Sequence, residues 1–251
     1  MRIPRIKASD IPFVTPELMR EVDRLLVEEF GLQLLQVMEN AGRALAELTR
    51  KTLKNDVREK KIAVLVGGGN NGGGGMVAAR HLHDWGARVT VIAGFGKDRL
   101  KQVPLEQWKV LERVGMDLLI FSETTRTSAR SCIRKSTIVL DALIGYGLRN
   151  NPSGFVAELI RITNESRKRV ISLDLPSGVD GTTGEIGDPS INAVKTLTLE
   201  LPKRGLRCDA ARQKIGQLYV AEIGVPPVLF GRLKLALSPI FSTSSIVELR
   251  F

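Results

Sequence analysis

The stretch that most constrains this chain is residues 61–80, KIAVLVGGGNNGGGGMVAAR. Lys61 leads into the apolar run 62–66, dominated by β-branched residues and short enough for a buried strand. Three glycines break the run, Asn70 and Asn71 follow, and four more glycines lead to residues 76–80, which read as a helix opening. Seven glycines in nine positions are poor material for packing, so they imply positive φ or close backbone approach. Strand, glycine turn and helix together set free backbone N–H groups where a phosphate or other anion can sit. A tight turn of purely structural purpose is the alternative. The run contains no unique G-x-G-x-x-G fingerprint, and no Gly-Lys-Ser/Thr follows to make a Walker A loop.

Around this unit the pattern alternates. Residues 1–13 mix basic and apolar side chains and read as an arm. Thr15 and Pro16 open a helix as cap and first helical residue, with Leu18, Val22, Leu25 and Leu26 on one face. A second helix spans 32–53; within it Glu39 and Asn40 either reach the glycine loop or form an exposed pair. Helices are expected over 77–85, 104–114, 124–132 and 154–166, and strands over 88–93, 116–121, 136–140, 170–173, 195–199 and 217–223. Residues 225–251 read as a tail with a terminal helix, packing on the domain or on a second copy. The alternation indicates one α/β domain over 1–224, its mostly parallel sheet covered on both faces.

In such a sheet ligands gather beyond the carboxyl ends of the strands. Three loops fall there: the glycine turn, the segment DALIGYGL beginning at Asp141, and DLPSGVD beginning at Asp174. Each aspartate follows an apolar run, where its carboxylate can enter the crevice to bind a cation, accept a proton or hold a hydroxyl. A cap or Asx-turn is the plainer reading of either. Gly145, Gly147 and Gly178 let backbone approach a ligand closely, and Ser177 offers a hydroxyl oxygen. Ser177 is no esterase nucleophile, because G-x-S-x-G is absent. Lys203 can reach the pocket from the end of the 195–199 strand or remain solvated. His81 and His83, two apart, share no helical face and make no metal pair.

Composition removes several classes. Aromatic residues are 5%, too few for a single-stranded nucleic-acid platform. The net charge of +10 attracts anions of every kind and is scattered, so it selects no partner. Cys132 and Cys208 form neither a disulfide framework nor a zinc pattern, and a reducing compartment follows. No run approaches the roughly 18 apolar residues of a membrane span, and no signal-peptide core opens the chain. The cytoplasm is the expected location, with neither membrane nor nucleic acid as partner.

Taken together, the segments LQVMENAG (35–42), GNNGGGGMVAARHL (69–82), DALIGYGL (141–148), DLPSGVD (174–180), Thr183-Gly184 and PKRGL (202–206) resemble the YjeF N-terminal domain family. Its enzymatic members are NAD(P)H-hydrate epimerases. The resemblance covers roughly residues 15–224 and implies a Rossmann-like three-layer α/β/α sandwich with a mostly parallel central sheet, usually homodimeric. It implies interconversion of the R and S epimers of C6-hydrated NADH or NADPH, linked to a separate NAD(P)H-hydrate dehydratase. The nucleotide here is substrate rather than redox cofactor.

Carried over by motif, the substrate would contact Asn70, Asn71, Gly72, Gly73 and Gly74, then Gly145, Tyr146, Gly147, Leu148, Arg149, Asn150 and Asn151, and Asp174. A potassium ion would be held by Asn71, Asp141 and Ser177. Asp174 would act as acid and base, with Lys203 as helper. The family loop reads G-N-N-G-G-D-G, whereas Gly74 stands at the aspartate position here, and the family G-T-G is Gly145-Tyr146-Gly147. The lost carboxylate makes a non-catalytic nucleotide- or ligand-binding scaffold the alternative function.

Overall fold

A computed structural model describes residues 3–148, 150–235 and 237–251. The chain opens with β1 (Arg5–Lys7), α1 (Pro16–Glu28) and α2 (Leu34–Thr52). The Thr15 hydroxyl caps α1 by accepting the Leu18 N–H at 3.3 Å. Next come β2 (Lys61–Val66), α3 (Asn70–Asp84), β3 (Arg88–Ala93), α4 (Gln102–Val114), β4 (Asp117–Ile120) and α5 (Arg126–Lys135). The second half runs β5 (Ile138–Ala142), α6 (Gly154–Glu165), β6 (Val170–Leu173), β7 (Lys195–Leu199), α7 (Asp209–Ile215), β8 (Gln217–Ala221), α8 (Pro227–Arg232) and β9 (Ile246–Arg250).

The strands form one sheet in the order β1-β9-β8-β7-β6-β5-β2-β3-β4. Every pairing is parallel except β8 with β9. Alternation along the strands sends side chains to two helix layers. Ile62, Val64 and Val66 of β2 share a core with Leu45 and Leu48 of α2, Met76 and Leu82 of α3, and Trp108 of α4. Ala63 and Leu65 face Ala129 and Ile133 of α5 and Leu159 and Ile160 of α6. At the β8–β9 end, α1 and α8 pack Val22, Leu26, Leu229 and Phe230 onto Val220 and Val247. The result is the expected three-layer sandwich. Among the described residues no helix is long and apolar enough to cross a membrane.

Two parts of the sequence reading change. Among the described residues the tail carries one short helix, α8, and its end is β9, which pairs with β8 and with the N-terminal β1. The arm and the tail therefore finish the sheet together. The glycine run also folds otherwise than expected: α3 starts at Asn70, so Gly72, Gly73, Gly74 and Gly75 form its first turns. None of them has positive φ; the other expected reason for glycine, close approach, is the one that holds. Their role is packing. A β-carbon would stand 1.8 Å from the Gly67 carbonyl oxygen at Gly72, 2.3 Å from Met38 Sδ at Gly73, and 2.5 Å from Ala142 Cβ at Gly75. Gly42 of α2 closes the contact from the other side, 2.5 Å from the Gly74 oxygen by the same measure. Bare backbone lets α3 lie against both α2 and the sheet, and that close contact outweighs the poor helix propensity of glycine.

Candidate functional site

After β4 the chain returns to the other side of β2 and continues outward through β5, β6 and β7. The switch point thus lies between β2 and β5, where the glycine turn and the loop after β5 diverge. An open α/β sheet leaves its ligand crevice there. A cavity of about 350 Å³ occupies this place. A larger groove of about 820 Å³ lies at the amino ends of β2, β3 and β4, beside Lys61, Arg88 and Asp117. The strand direction and the three loops favour the smaller one.

Of the residues assigned by motif, Asn70, Asn71, Gly74, Gly145, Tyr146, Gly147, Asp174 and Lys203 line the cavity. Gly69 precedes α3 as its cap residue, and the first intrahelical bond runs from Gly73 N–H to Gly69 O at 3.2 Å. The N–H groups at the start of α3 therefore sit beside the cavity and suit an anion. Gly72 and Gly73 are packed behind that surface and hold the helix in place. Leu148, Asn150 and Asn151 lie outside the lining; the Asn151 amide oxygen accepts the Asp188 N–H at 3.2 Å. Arg149 lies outside the described residues.

Asp174 follows β6 with φ +67°, a left-handed conformation that is uncommon for residues other than glycine and costs free energy. Its N–H is fixed by Leu197 O at 2.7 Å. One carboxylate oxygen pairs with Lys203 Nζ at 2.6 Å, and the other accepts the Tyr146 N–H at 3.0 Å. Lys203 is fully buried and also donates to Leu199 O at 3.1 Å. It is thus no solvated lysine. The backbone at 14 and 203 forms a bridge, so the segment before α1 pins the lysine. Gly145 fits between two polar groups, since a β-carbon there would lie 3.0 Å from Asp174 Oδ2 and 3.2 Å from Asn71 Oδ1.

Asp141 belongs to β5 itself, not to the loop beyond it, and is fully buried; neither it nor Ser177 is among the residues that line the cavity. Its carboxylate accepts the Ser177 hydroxyl at 2.6 Å, the Ser177 N–H at 2.9 Å, the Ser172 hydroxyl at 2.8 Å and the Leu143 N–H at 3.2 Å. Burial raises its pKa above the usual carboxylate value, against the pull of those donors. All four donors are neutral, and among the described residues no lysine or arginine forms an ion pair with Asp141. Buried charges are normally paired or coordinate a cation. The Asn71 amide is buried with its nitrogen unpartnered, so turning the amide would present its oxygen at the same place. Amide, carboxylate and hydroxyl oxygens are a donor set suited to a hard monovalent cation. Among the described residues no group of three or more His, Cys, Asp or Glu is arranged to hold a metal.

Sequence reasoning missed Asp23. It projects from α1 into the cavity wall, and the Tyr146 hydroxyl donates to its carboxylate. The available signal was its position one turn after Met19, beside the apolar stripe of α1. In α2, Glu39 and Asn40 neither reach the glycine loop nor form a simple exposed pair, the two alternatives read from the sequence. Glu39 pairs with Arg80 at 2.7 Å and meets His81 at 2.8 Å, both farther along α3, while Asn40 donates to Ile223 O at 3.0 Å.

A mostly parallel sheet, with a helix start at its switch point and a buried, ion-paired carboxylate one strand farther on, defines an open α/β domain with a crevice at its strand ends. Within that class, the chain belongs to the family described as YjeF-related protein N-terminus, which matches residues 34–205. It is 42% identical over 219 residues to an NAD(P)H-hydrate epimerase of Dehalogenimonas lykanthroporepellens, covering 87% of this chain and 84% of that one. It is 32% identical to a bifunctional NAD(P)H-hydrate repair enzyme Nnr of Moorella thermoacetica, covering 86% of this chain and 41% of the longer relative. The crystal structure of yeast YNL200c superposes with a TM-score of 0.81 at 23% identity, over 95% of this chain and all of that one, which supports the fold.

Proposed function

We propose that this protein is an NAD(P)H-hydrate epimerase. It interconverts the R and S forms of C6-hydrated NADH or NADPH, with Asp174 as the group that moves protons at the C6 hydroxyl. The observation that carries this reading is the buried Asp174–Lys203 pair on the wall of a cavity that also holds the start of α3. The helix start suits a pyrophosphate, and the carboxylate then meets the ring at the other end of the same ligand. Epimerisation requires the C6 hydroxyl to leave as water, helped by the ring-nitrogen lone pair, and water to return on the opposite face. Proton transfer by a positioned side chain typically contributes about 10²–10⁴-fold to such steps.

Lys203 holds one Asp174 oxygen and the Tyr146 N–H holds the other, so the carboxylate is oriented before substrate arrives. Asn71, Asp141 and Ser177 would hold a potassium ion, whose positive charge favours an anionic ligand nearby. The bifunctional NAD(P)H-hydrate repair enzyme among the relatives supports a functional link to a second repair activity, the dehydratase that the resemblance implies, and we take this chain to act as a cytoplasmic homodimer. Gly74 stands where the family loop carries an acid, although a β-carbon there would already lie 2.8 Å from Leu173 Cδ2, and the binding-scaffold reading rests on that residue alone.

The test is to start purified protein on pure R and pure S hydrate and to titrate hydrated and plain nucleotides in parallel. The wild type should equilibrate the epimers, and Asp174→Asn should slow this by at least about tenfold. Tight binding without turnover would make the protein a scaffold.

A further inference from the structure

The cavity holds a second carboxyl that the mechanism above does not use. Asp23 and Asp174 stand at the two ends of one residue. The Tyr146 hydroxyl donates to Asp23 Oδ2, and the Tyr146 backbone N–H donates to Asp174 Oδ2 at 3.0 Å. All three side chains line the same cavity. Asp23 Oδ1 has no hydrogen-bond partner among the described residues, so it is the oxygen left to meet a ligand. The charges around the two acids differ. Lys203 pairs with Asp174 at 2.6 Å, whereas among the described residues no lysine or arginine forms an ion pair with Asp23. Arg20 lies over the Tyr146 ring, 5.8 Å from its centre. Burial pushes the Asp23 carboxyl above its ordinary range, despite the bond from Tyr146 and the charge of Lys203, and the nearby Asp174 adds to the rise. Two acids in one site, one of them ion-paired and the other not, can serve as one proton donor and one acceptor.

Epimerisation has a geometric demand that one carboxylate meets poorly: the hydroxyl leaves one face of the ring and returns on the other. We propose, building on the epimerase reading, that Asp23 is the second catalytic acid–base group, serving the ring face opposite Asp174, with Tyr146 as the residue that positions both. In one direction Asp23 gives its proton to the C6 hydroxyl, the C–O bond breaks, and water leaves as the ring-nitrogen lone pair forms a C=N bond. Water then adds to C6 from the Asp174 side, the electron pair returns to nitrogen, and Asp174 takes the released proton. The reverse reaction exchanges the two roles. No oxidant or reductant is involved, and protons balance between the carboxyls.

The test uses the full chain with Asp23→Asn and Asp174→Asn, each pure epimer as substrate, in ¹⁸O-enriched water. Epimerisation and oxygen exchange at C6 are followed together. With Asp23→Asn, epimerisation should fall by at least about tenfold in both directions. The epimer whose hydroxyl faces Asp174 should still exchange oxygen with its configuration retained, and the other epimer should not. Asp174→Asn should give the mirror pattern. Tyr146→Phe, which keeps the ring, should show the Asp23→Asn asymmetry in milder form and decides the matter if Asp23→Asn fails to fold. Epimerisation by Asp23→Asn within about threefold of wild type, or loss of exchange in both epimers to the same degree, would overturn the proposal. A wild type that epimerises nothing would instead sink the reading beneath it.

Discussion

Replacing Glu200 by glutamine should remove a pH dependence from the stability of this protein. Glu200 follows β7 with φ +58° and is 3% exposed. Its Oε2 accepts the Ile223 N–H at 2.9 Å, tying down the segment that carries Ile223 into the cavity wall. Burial pushes the carboxyl from an ordinary value of 4.5 up to about 7; the Glu222 charge adds to this, while the N–H groups of Ile223 and Val225 and the charge of Lys203 oppose it. The folded state therefore keeps a proton between pH 4.5 and about 7 that the unfolded chain releases. Stability must fall as pH rises through that window and level off above it. At about 1.36 kcal/mol per unit, the full loss is about 3 kcal/mol. Glutamine stays neutral at every pH and retains an acceptor for Ile223. The stability of Glu200→Gln minus that of wild type should thus rise by about 3 kcal/mol between pH 4 and pH 8, with other titrating groups cancelling in the difference. Urea unfolding across that range measures it. Parallel curves, with the difference changing by less than about 1 kcal/mol, would refute the reasoning.

Other outcomes follow from the packing and the charges. Gly72→Ala should destabilise by about 3 kcal/mol or more, because its new carbon would press on the Gly67 carbonyl, whereas Gly231→Ala, with open space around it, should leave the melting temperature unchanged or slightly raised. Lys203→Met should cost about 3–5 kcal/mol by leaving Asp174 buried and uncompensated, and should also abolish turnover; stability equal to wild type would remove the ion pair from the account. Potassium chloride should raise the melting temperature above that in an equal concentration of tetramethylammonium chloride, and Asp141→Asn should erase the difference.

Strand β2 and the loops after β5 and β6 were legible because apolar runs ended abruptly at glycine or aspartate. The start of α3 was not. Glycine has poor helix propensity, and the sequence does not display the neighbours, Met38, Gly42 and Ala142, that make its small size necessary. Strand β9 escaped because one partner, β1, lies at the far end of the sequence and the other, β8, across a long connection, so a short Val-Glu-Leu-Arg alternation reads as tail. Asp141 looked like a crevice residue because it ends an apolar run, yet its register opposite Leu65 and Ser172 buries it within the sheet. Asp23 is the same lesson at the site, since its partner Tyr146 is 123 positions away.

A crystal structure with a non-hydrolysing analogue of hydrated NADH would probe the central claim most directly. The pyrophosphate should lie against the first N–H groups of α3, with the C6 oxygen within hydrogen-bonding distance of the Asp174 carboxylate. A nucleotide seated in the groove at the amino ends of β2–β4, or one whose nicotinamide ring lies away from Asp174, would contradict it.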